Sequence, residues 1–531
     1  MMGWNFGDIL DAIEPILPAD ALAYVHGTRK ITWGETSKRS NNLARALIRR
    51  GAAPRDKVAF YMRNRPEYCE TLAAAFKARL THVNVNYRYK PEEVFYIFDN
   101  SDAQTVVYGS EFRDIIAEIR PRLKKVETFV EVGGKAADFA IDFETLVQEG
   151  DGKPLKIERS PQDEFFIYTG GTTGMPKGVI WSHDDLRETS LTALRKLGPV
   201  PENLEQLVAA LKMIGPGNRL IPGCPLMHGT GLLMALNTML SGGGVITLTH
   251  QSFSAAEMWK AVEDNKAQTL VIVGDAFAKP MLAELEQHKY DTSSVVTILS
   301  SGVMWSREVK KGLLAHVPQA QLVDSFGSSE AVGFGTSIMT KDGEVQTAKF
   351  QISDRCTVFD AQDRPVAPGS GVPGIIAMPQ PIPLGYYKDA KKTAETFKTI
   401  NGVRYSMPGD WCVVEADGTL TLLGRGSACI NTAGEKVYPE EIEETLKLHP
   451  AIEDALVVGV PDEKWGQSVT AVVVTSGDFD EESVRLHVRD RLAGYKTPKR
   501  VLITGVPLRA PNGKADYQSA LEFAKRSLGI A

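Results

Sequence analysis

Along the first 350 or so residues, short apolar runs rich in β-branched residues alternate with stretches whose apolar positions recur every three or four residues. KVAFYM (57–62) predicts a strand and Pro66 to Arg79 a helix. QTVVYG (104–109) predicts a second strand, followed by EFRDIIAEIRPRL, helical up to its proline. TLVIVG (269–274) precedes the helical DAFAKPMLAELEQH, and VVTILSSG (295–302) precedes the helical WSREVKKGLLAHV. This alternation predicts largely parallel α/β sheets. Beyond residue 350, proline and glycine punctuate short strands, as in VFDAQDRPVAPGSGVPGIIAMP and WCVVEADGTLTLLGR, which predicts an antiparallel meander or distorted barrel. From Tyr438 the order becomes helix, strand, strand, helix, strand, a compact α+β unit. The small, polar, glycine-bearing stretch GRGSACINTAGEK (424–436) between them has the composition of a hinge. No repeat of fixed period and no low-complexity tract interrupts this order.

Composition narrows the class. The chain has 531 residues, 43% apolar and 24% charged, which excludes wholesale disorder, collagen and a disulfide scaffold. The net charge of −6 carries no electrostatic footprint for nucleic acid or an anionic membrane. Cys69, Cys224, Cys356, Cys412 and Cys429 are scattered, odd in number and without a CxxC pair, which fits buried thiols in a reducing compartment and argues against a zinc site. The start lacks a basic leader and carries Asp8, Asp11 and Glu14. The longest apolar stretch, Leu232 to Leu248, is broken by Ser241-Gly242-Gly243-Gly244 and is too short to span a bilayer. The expectation is a soluble cytoplasmic protein.

The most informative segment runs from Phe165 to Val179, FFIYTGGTTGMPKGV. A predicted strand runs into Thr169, Gly170, Gly171, Thr172, Thr173 and Gly174, and Lys177 follows. Glycines let backbone N–H groups turn inward around an anion, threonine hydroxyls add donors, and the lysine supplies a cation where phosphate charge would sit. The GxxxxGK[ST] spacing of a Walker A loop is absent, and GVIWS after Lys177 is strand-like rather than helical. A glycine-rich hairpin without a ligand is the plain alternative.

YTGGTTGMPKGV resembles the phosphate-loop signature of the adenylate-forming superfamily of acyl-CoA synthetases, peptide-synthetase adenylation domains and luciferases. Matching segments follow in the family's order from about residue 20 to residue 517. The resemblance implies an acyl-CoA synthetase-like α/β fold. A large N-terminal domain, residues 1–425, would hold two α/β subdomains plus a distorted β-barrel; a small mobile α+β domain, residues 426–531, would follow a hinge at about 425–428.

It also implies roles residue by residue. Asp324-Ser325-Phe326-Gly327-Ser328-Ser329-Glu330 resembles the family's YGxTE element, in which the aromatic packs on adenine and the glutamate holds Mg²⁺, with Thr173 as a second metal contact. Phe326 replaces the usual tyrosine and Ser329 the usual threonine. Taken alone, Glu330 would read as an acid capping a helix N-terminus after serines. Ser301 and Gly302 resemble the adenine-pocket segment. Asp410 matches the ribose-binding aspartate, and Arg425 the arginine that contacts ribose or phosphate. In isolation Asp410 is an ordinary turn residue. Lys514, in PNGK, matches the lysine that reaches the bond-forming oxygens; without that match it would be a solvated lysine. Ser427 stands where the family usually has an Asp or Lys hinge residue.

For the acid, His228 in PLMHGTG occupies the family's position beside the acyl carbonyl, though a lone histidine is more often structural. Met227, Gly231, Gly274, Phe277, Gly333 and Phe334 are the further acyl-pocket candidates. Their apolar character and the small glycines suit a long or bulky acid, and no cation stands among them to read a second carboxylate. Gly434, Lys436, Tyr495 and Lys499 are candidate CoA contacts. Stretches such as NVNYRY and LGYYKDAKKTAETFKTINGVRYSMPGD are similar to bacterial fatty-acyl-CoA synthetases, in particular those acting on long-chain or sterol side-chain acids. The implied activity is ATP-dependent: Mg²⁺-assisted formation of acyl-AMP with pyrophosphate release, then transfer to CoA. The alternatives are an aryl or arylalkanoate CoA ligase, a peptide-synthetase module, a luciferase-like oxidase and, in a different class, a non-catalytic nucleotide-binding regulator. A homodimer is common among such proteins.

Overall fold

The computed structural model describes residues 3–169, 175–195, 198–302, 305–343, 349–425, 430–432, 435–462, 466–475, 477–492, 494–509 and 515–530. Three sheets organise them. In the first, Leu22–His26, Gly244–Thr247, Arg219–Pro222, Thr269–Ile272, Thr297–Ser301 and Gln321–Ser328 lie side by side and parallel. The direction then reverses. Ala331–Met339, Lys349–Ile352, Thr419–Arg425, Asp410–Val414 and Gly374–Pro379 continue the same sheet antiparallel. The meander expected after residue 350 is therefore strung onto the parallel sheet by backbone hydrogen bonds, through the Gln321–Ser328 and Ala331–Met339 hairpin.

In the second sheet, Glu164–Thr169, Thr81–Asn84, Lys57–Tyr61, Ala103–Gly109, Thr128–Val132 and Ile141–Asp142 are parallel. Lys177–Ser182 and Gly385–Tyr386 close its other edge antiparallel. The helix Pro66–Lys77 is buried along its whole length, with proline in its first turn where no N–H is needed. Its final Lys77 is wholly buried because the ammonium pairs with Glu14 at 2.7 Å and Asn41 at 2.8 Å. The helix Trp33–Arg49 opens with a capping box between Thr32 and Glu35, as the Thr-x-x-Glu spacing dictates.

The third sheet pairs Ile452–Asp462 with Gly466–Thr475 antiparallel and adds Arg500–Ile503 parallel. Period-two alternation sends Ala455 and Val457 to one face and Leu456, Val458 and Val460 to the other. The first face packs on the helices Pro439–Lys447 and Glu481–Arg489, the second on Tyr517–Ser527. The predicted hinge falls on 425–428, of which 426–428 lie outside the described residues. Across that junction the ring of Tyr438 lies 5.9 Å from that of Trp411. Among the described residues no helix is long and apolar enough to cross a membrane.

Candidate active site

Two hairpins, one from each large sheet, build the site. In the first, Glu164–Thr169 and Lys177–Ser182 run antiparallel with Thr169 opposite Lys177, so these two residues stand at the mouth of the loop. Gly170, Gly171, Thr172, Thr173 and Gly174 lie outside the described residues. Gly178 is required by its neighbour: a Cβ there would meet the Tyr168 ring at 2.7 Å. In the second hairpin, Gln321–Ser328 returns as Ala331–Met339, and Ser329-Glu330 form the turn. Glu330 is thus not the acid of a helix N-terminus; it sits where two strands of a sheet reverse. The indole of Trp181, in the first hairpin, donates to the Ser329 carbonyl at 2.9 Å and ties the two turns together.

The segment Gly385–Asp389 supports both. Gly385–Tyr386 pairs with the Lys177–Ser182 strand. The Tyr386 hydroxyl donates to Glu330 Oε1 at 2.7 Å, and the Ser406 hydroxyl to the Glu330 carbonyl at 2.6 Å. The carboxylate of Asp389 forms an ion pair with the Lys177 ammonium, whose hydrogen bond lowers its pKa. Glu330 is buried, whereas Lys177 and Asp389 remain about a third exposed (35% and 27% for their side chains) and open to a ligand.

On the nucleotide side, Ser301, the last residue of its strand, pairs with Ser325 of the neighbouring parallel strand. Gly302 has φ +88° and nothing within 4 Å of where a Cβ would stand, so the chain turns away there and leaves open space. Phe326 packs against Phe334 and Phe350, with ring centroids 5.3 and 5.4 Å apart, and is 9% exposed. Asp324, two residues before Phe326 on the same face of the strand, is taken up by a buried ion pair with Lys310 of the helix Arg307–His316. Burial nevertheless pushes its carboxyl up to about 6, the ammonium only partly offsetting the loss of water. Gly327 admits close approach of the returning strand, a Cβ there lying 3.0 Å from the Ala331 carbonyl. Ser325 and Ser329 are half-buried. Asp410 is buried and opposite Arg425 in the register of its hairpin.

The acyl candidates fall into two groups. His228 is half-buried and stands at the N-cap of the helix Gly229–Leu240. A Cβ on Gly229 would touch only the Ser329 hydroxyl, at 3.8 Å, which places this helix start beside the Glu330 turn. Asn84, at the end of a central strand, fixes it there: its side chain donates to the carbonyls of Tyr168 at 2.8 Å and Met227 at 2.7 Å, and accepts from Tyr168 N–H at 2.7 Å. Gly274 (φ +59°) heads the helix that carries Phe277, whose ring meets Phe253 edge-on at 4.9 Å. Gly333 (φ +80°) faces open space. Gly231 has a packing role instead: a Cβ there would lie 2.8 Å from the Pro225 carbonyl. Phe334 is wholly buried.

Of the CoA candidates, Tyr495 is exposed and Lys499 half-buried. Lys436 belongs to the strand Glu435–Val437, its side chain outside the described residues, as are Gly434 and Lys514. Sequence reasoning assigned no role to Asn84, Trp181, Lys310, Tyr386 or Asp389. Asn84 opens NVNYRY, and Tyr386 and Asp389 lie in LGYYKDAKK, both stretches already singled out as family-like, which was the available signal.

Residues 17–387 match the model of the AMP-binding enzyme family and residues 441–514 that of the AMP-binding enzyme C-terminal domain. A 3-oxocholest-4-en-26-oate–CoA ligase of Rhodococcus rhodochrous is 39% identical, the match covering 100% of this chain and 97% of that one. A medium/long-chain-fatty-acid–CoA/3-oxocholest-4-en-26-oate–CoA ligase of Mycobacterium marinum is also 39% identical, over 98% and 96% of the two chains. Among solved structures, an anthranilate CoA ligase in complex with anthranoyl-AMP superposes with TM-score 0.84 at 19% identity, covering 100% of this chain and 99% of that one. ATP-bound MatB from Rhodopseudomonas palustris superposes with TM-score 0.83 at 23% identity, covering 98% and 99%.

Proposed function

The chain belongs to the family of AMP-binding enzymes and is a CoA ligase, and from that premise we propose that it activates a medium- or long-chain fatty acid or a sterol side-chain acid. The relatives named for such acids, at 39% identity over nearly the full chain, support this substrate class. The observation that carries the site assignment is the convergence of Lys177, at the mouth of the glycine loop, and Glu330, in the facing turn, on one supporting segment.

In this reading ATP is the substrate whose phosphates lie over the 169–177 hairpin, with adenine and ribose between Ser301-Gly302, Ser325 to Gly327 and Asp410. The acid's carboxylate attacks the α-phosphorus in line. The bond from that phosphorus to the bridging oxygen breaks, pyrophosphate leaves, and acyl-AMP forms. Two anions must approach each other, so the step needs fixed positive charge more than a base. Lys177, Lys514 and the loop N–H groups supply it. The Glu330 carboxylate, buried and held through one oxygen by Tyr386, would hold a Mg²⁺ ion together with Thr173. Among the described residues no cluster of three metal-ligating side chains forms a resident metal cage. Bound there with ATP, the ion would neutralise polyphosphate charge.

The CoA thiolate then attacks the acyl carbonyl and AMP leaves. His228, at the helix start beside the Glu330 turn, borders the carbonyl, while Met227, Phe277 and the open space at Gly333 accommodate an apolar acyl group. The second step requires different groups at the same centre. We assign them to the 434–438 segment, with Lys436, Tyr495 and Lys499 toward CoA, presented by movement of the C-terminal domain about 425–428. The test is a pyrophosphate-release and CoA-consumption screen over acids from acetate to steroid side-chain acids. Turnover should centre on long or sterol-like acids; absence of pyrophosphate with every acid overturns the reading. Lys514→Ala should slow adenylation far more than thioester formation from supplied acyl-AMP, and an equal loss in both would refute the two-state division.

A further inference from the structure

The segment Gly385–Asp389 is too well fastened to be a passing loop, and its fastenings are chemically specific. Tyr387 N–H donates to the Gly178 carbonyl at 2.8 Å, and the Tyr387 hydroxyl and Lys388 ammonium both reach Asp102, at 2.6 and 2.7 Å. With its backbone and its outward side chains pinned, it turns Tyr386 onto Glu330 and Asp389 onto Lys177. The contact between Asp389 and Lys177 is not explained by stability. The Lys177–Asp389 pair is partly exposed, and such pairs add little. Asp389 already caps the helix Ala390–Thr396 by accepting from Lys392 N–H at 2.9 Å, a task an uncharged asparagine performs equally well.

We propose that this segment presets the two charged groups of the site: Tyr386 orients the Glu330 carboxylate, and Asp389 is a stand-in anion that holds the Lys177 ammonium until a phosphate displaces it. The inference rests on the reading of Lys177 and Glu330 as ATP-site residues. A phenol donates one hydrogen bond to one carboxylate oxygen, which fixes the carboxylate's plane while leaving its second oxygen for a hard cation. A carboxylate beside the lysine keeps the ammonium extended toward the loop mouth in the empty enzyme. ATP binding must then break that pair, which weakens affinity but also keeps pyrophosphate from being held after the reaction.

The test is calorimetric titration of the full chain with ATP, first in EDTA and then in excess Mg²⁺. In EDTA, Asp389→Asn should bind ATP about threefold tighter than the parent, the size of one released exposed ion pair, and this gain should vanish in a Lys177→Met background. In excess Mg²⁺, Tyr386→Phe should lose about tenfold of the affinity that the metal confers, and lose nothing further in a Glu330→Gln background. The melting midpoint of Asp389→Asn should match the parent's, its pair with Lys177 being partly exposed. Unchanged or weaker ATP binding by Asp389→Asn, or effects that persist undiminished in the Lys177→Met and Glu330→Gln backgrounds, would overturn the proposal. So would losses of binding that track a fall in melting midpoint. If Lys177→Met and Glu330→Gln themselves bind ATP like the parent, the assignment of the ATP site fails instead.

Discussion

Replacing Lys310 by methionine tests how the nucleotide side of the site is held. The ammonium of Lys310 and the carboxylate of Asp324 are both nearly buried, 4% and 9% exposed, and lie against Trp305, whose ring is 5.4 Å from the ammonium. Burial raises the Asp324 carboxyl from 3.8 to about 6 even with its partner present. A shift of that size is worth about 3 kcal/mol. The sign follows from proton binding. The folded state holds the Asp324 proton up to about pH 6 and the unfolded state releases it near 4, so this group's contribution falls as pH rises through that window and is flat above it. Without Lys310 the attraction that lowers the value is gone, the carboxyl titrates higher still, and the fall extends past neutrality. At pH 8, Lys310→Met should therefore cost about 3–5 kcal/mol, as when one partner is taken from a buried pair. At pH 5.5 the acid is largely protonated and the loss should shrink to about 1 kcal/mol. Urea unfolding followed by tryptophan fluorescence at the two pH values measures the difference, and Asp324→Asn added to Lys310→Met should recover most of the loss at pH 8. An equal loss at both pH values, or no rescue by the double variant, would refute the electrostatic account.

Asn84→Ala removes the partner of three backbone groups, Tyr168 N–H and the Tyr168 and Met227 carbonyls; at about 1–3 kcal/mol for each buried group left unpaired, urea unfolding should show a loss of several kcal/mol. Gly424→Ala drives a methyl into the Glu440 carboxylate at a residue with φ +111°, so it should loosen the helix Pro439–Lys447 from the strand Thr419–Arg425; the readout is the ratio of pyrophosphate release to thioester formation, which a tolerated methyl would leave unchanged. Glu443 is fully buried, accepts from Val457 N–H at 2.8 Å and Tyr517 at 3.1 Å, and has its carboxyl pushed far above the ordinary range by burial and by Glu440. Its folded form keeps a proton the unfolded chain has lost, so stability should fall as pH rises from the ordinary carboxylate range through neutrality. Glu443→Gln should flatten that slope in melts at pH 6 and 8.5, and an unchanged slope would count against it.

The sequence by itself determined the parallel α/β character of the first part, because buried strands and amphipathic helices carry periods that survive without context. KVAFYM and TLVIVG proved to be strands, and Pro66 onward a helix, for that reason. It also determined the C-terminal unit, where alternating apolar residues serve two helical layers, and the family, through glycine-rich and charged motifs dense enough to be specific. It did not determine that the meander beyond residue 350 shares a sheet with the parallel strands, because strand neighbours are chosen by backbone hydrogen bonds rather than by composition. Nor did it reveal the helix-free setting of Glu330, since two serines and an acid suit a helix cap and a hairpin turn equally. The supports of the site were least legible. Asn84, Lys310, Tyr386 and Asp389 are ordinary polar residues in sequence, and each acquires meaning from a partner 14 to 212 positions away. Only the tertiary structure decides which buried or half-buried charge meets which counter-charge, because the cost of removing a polar group from water is set by what the fold places beside it.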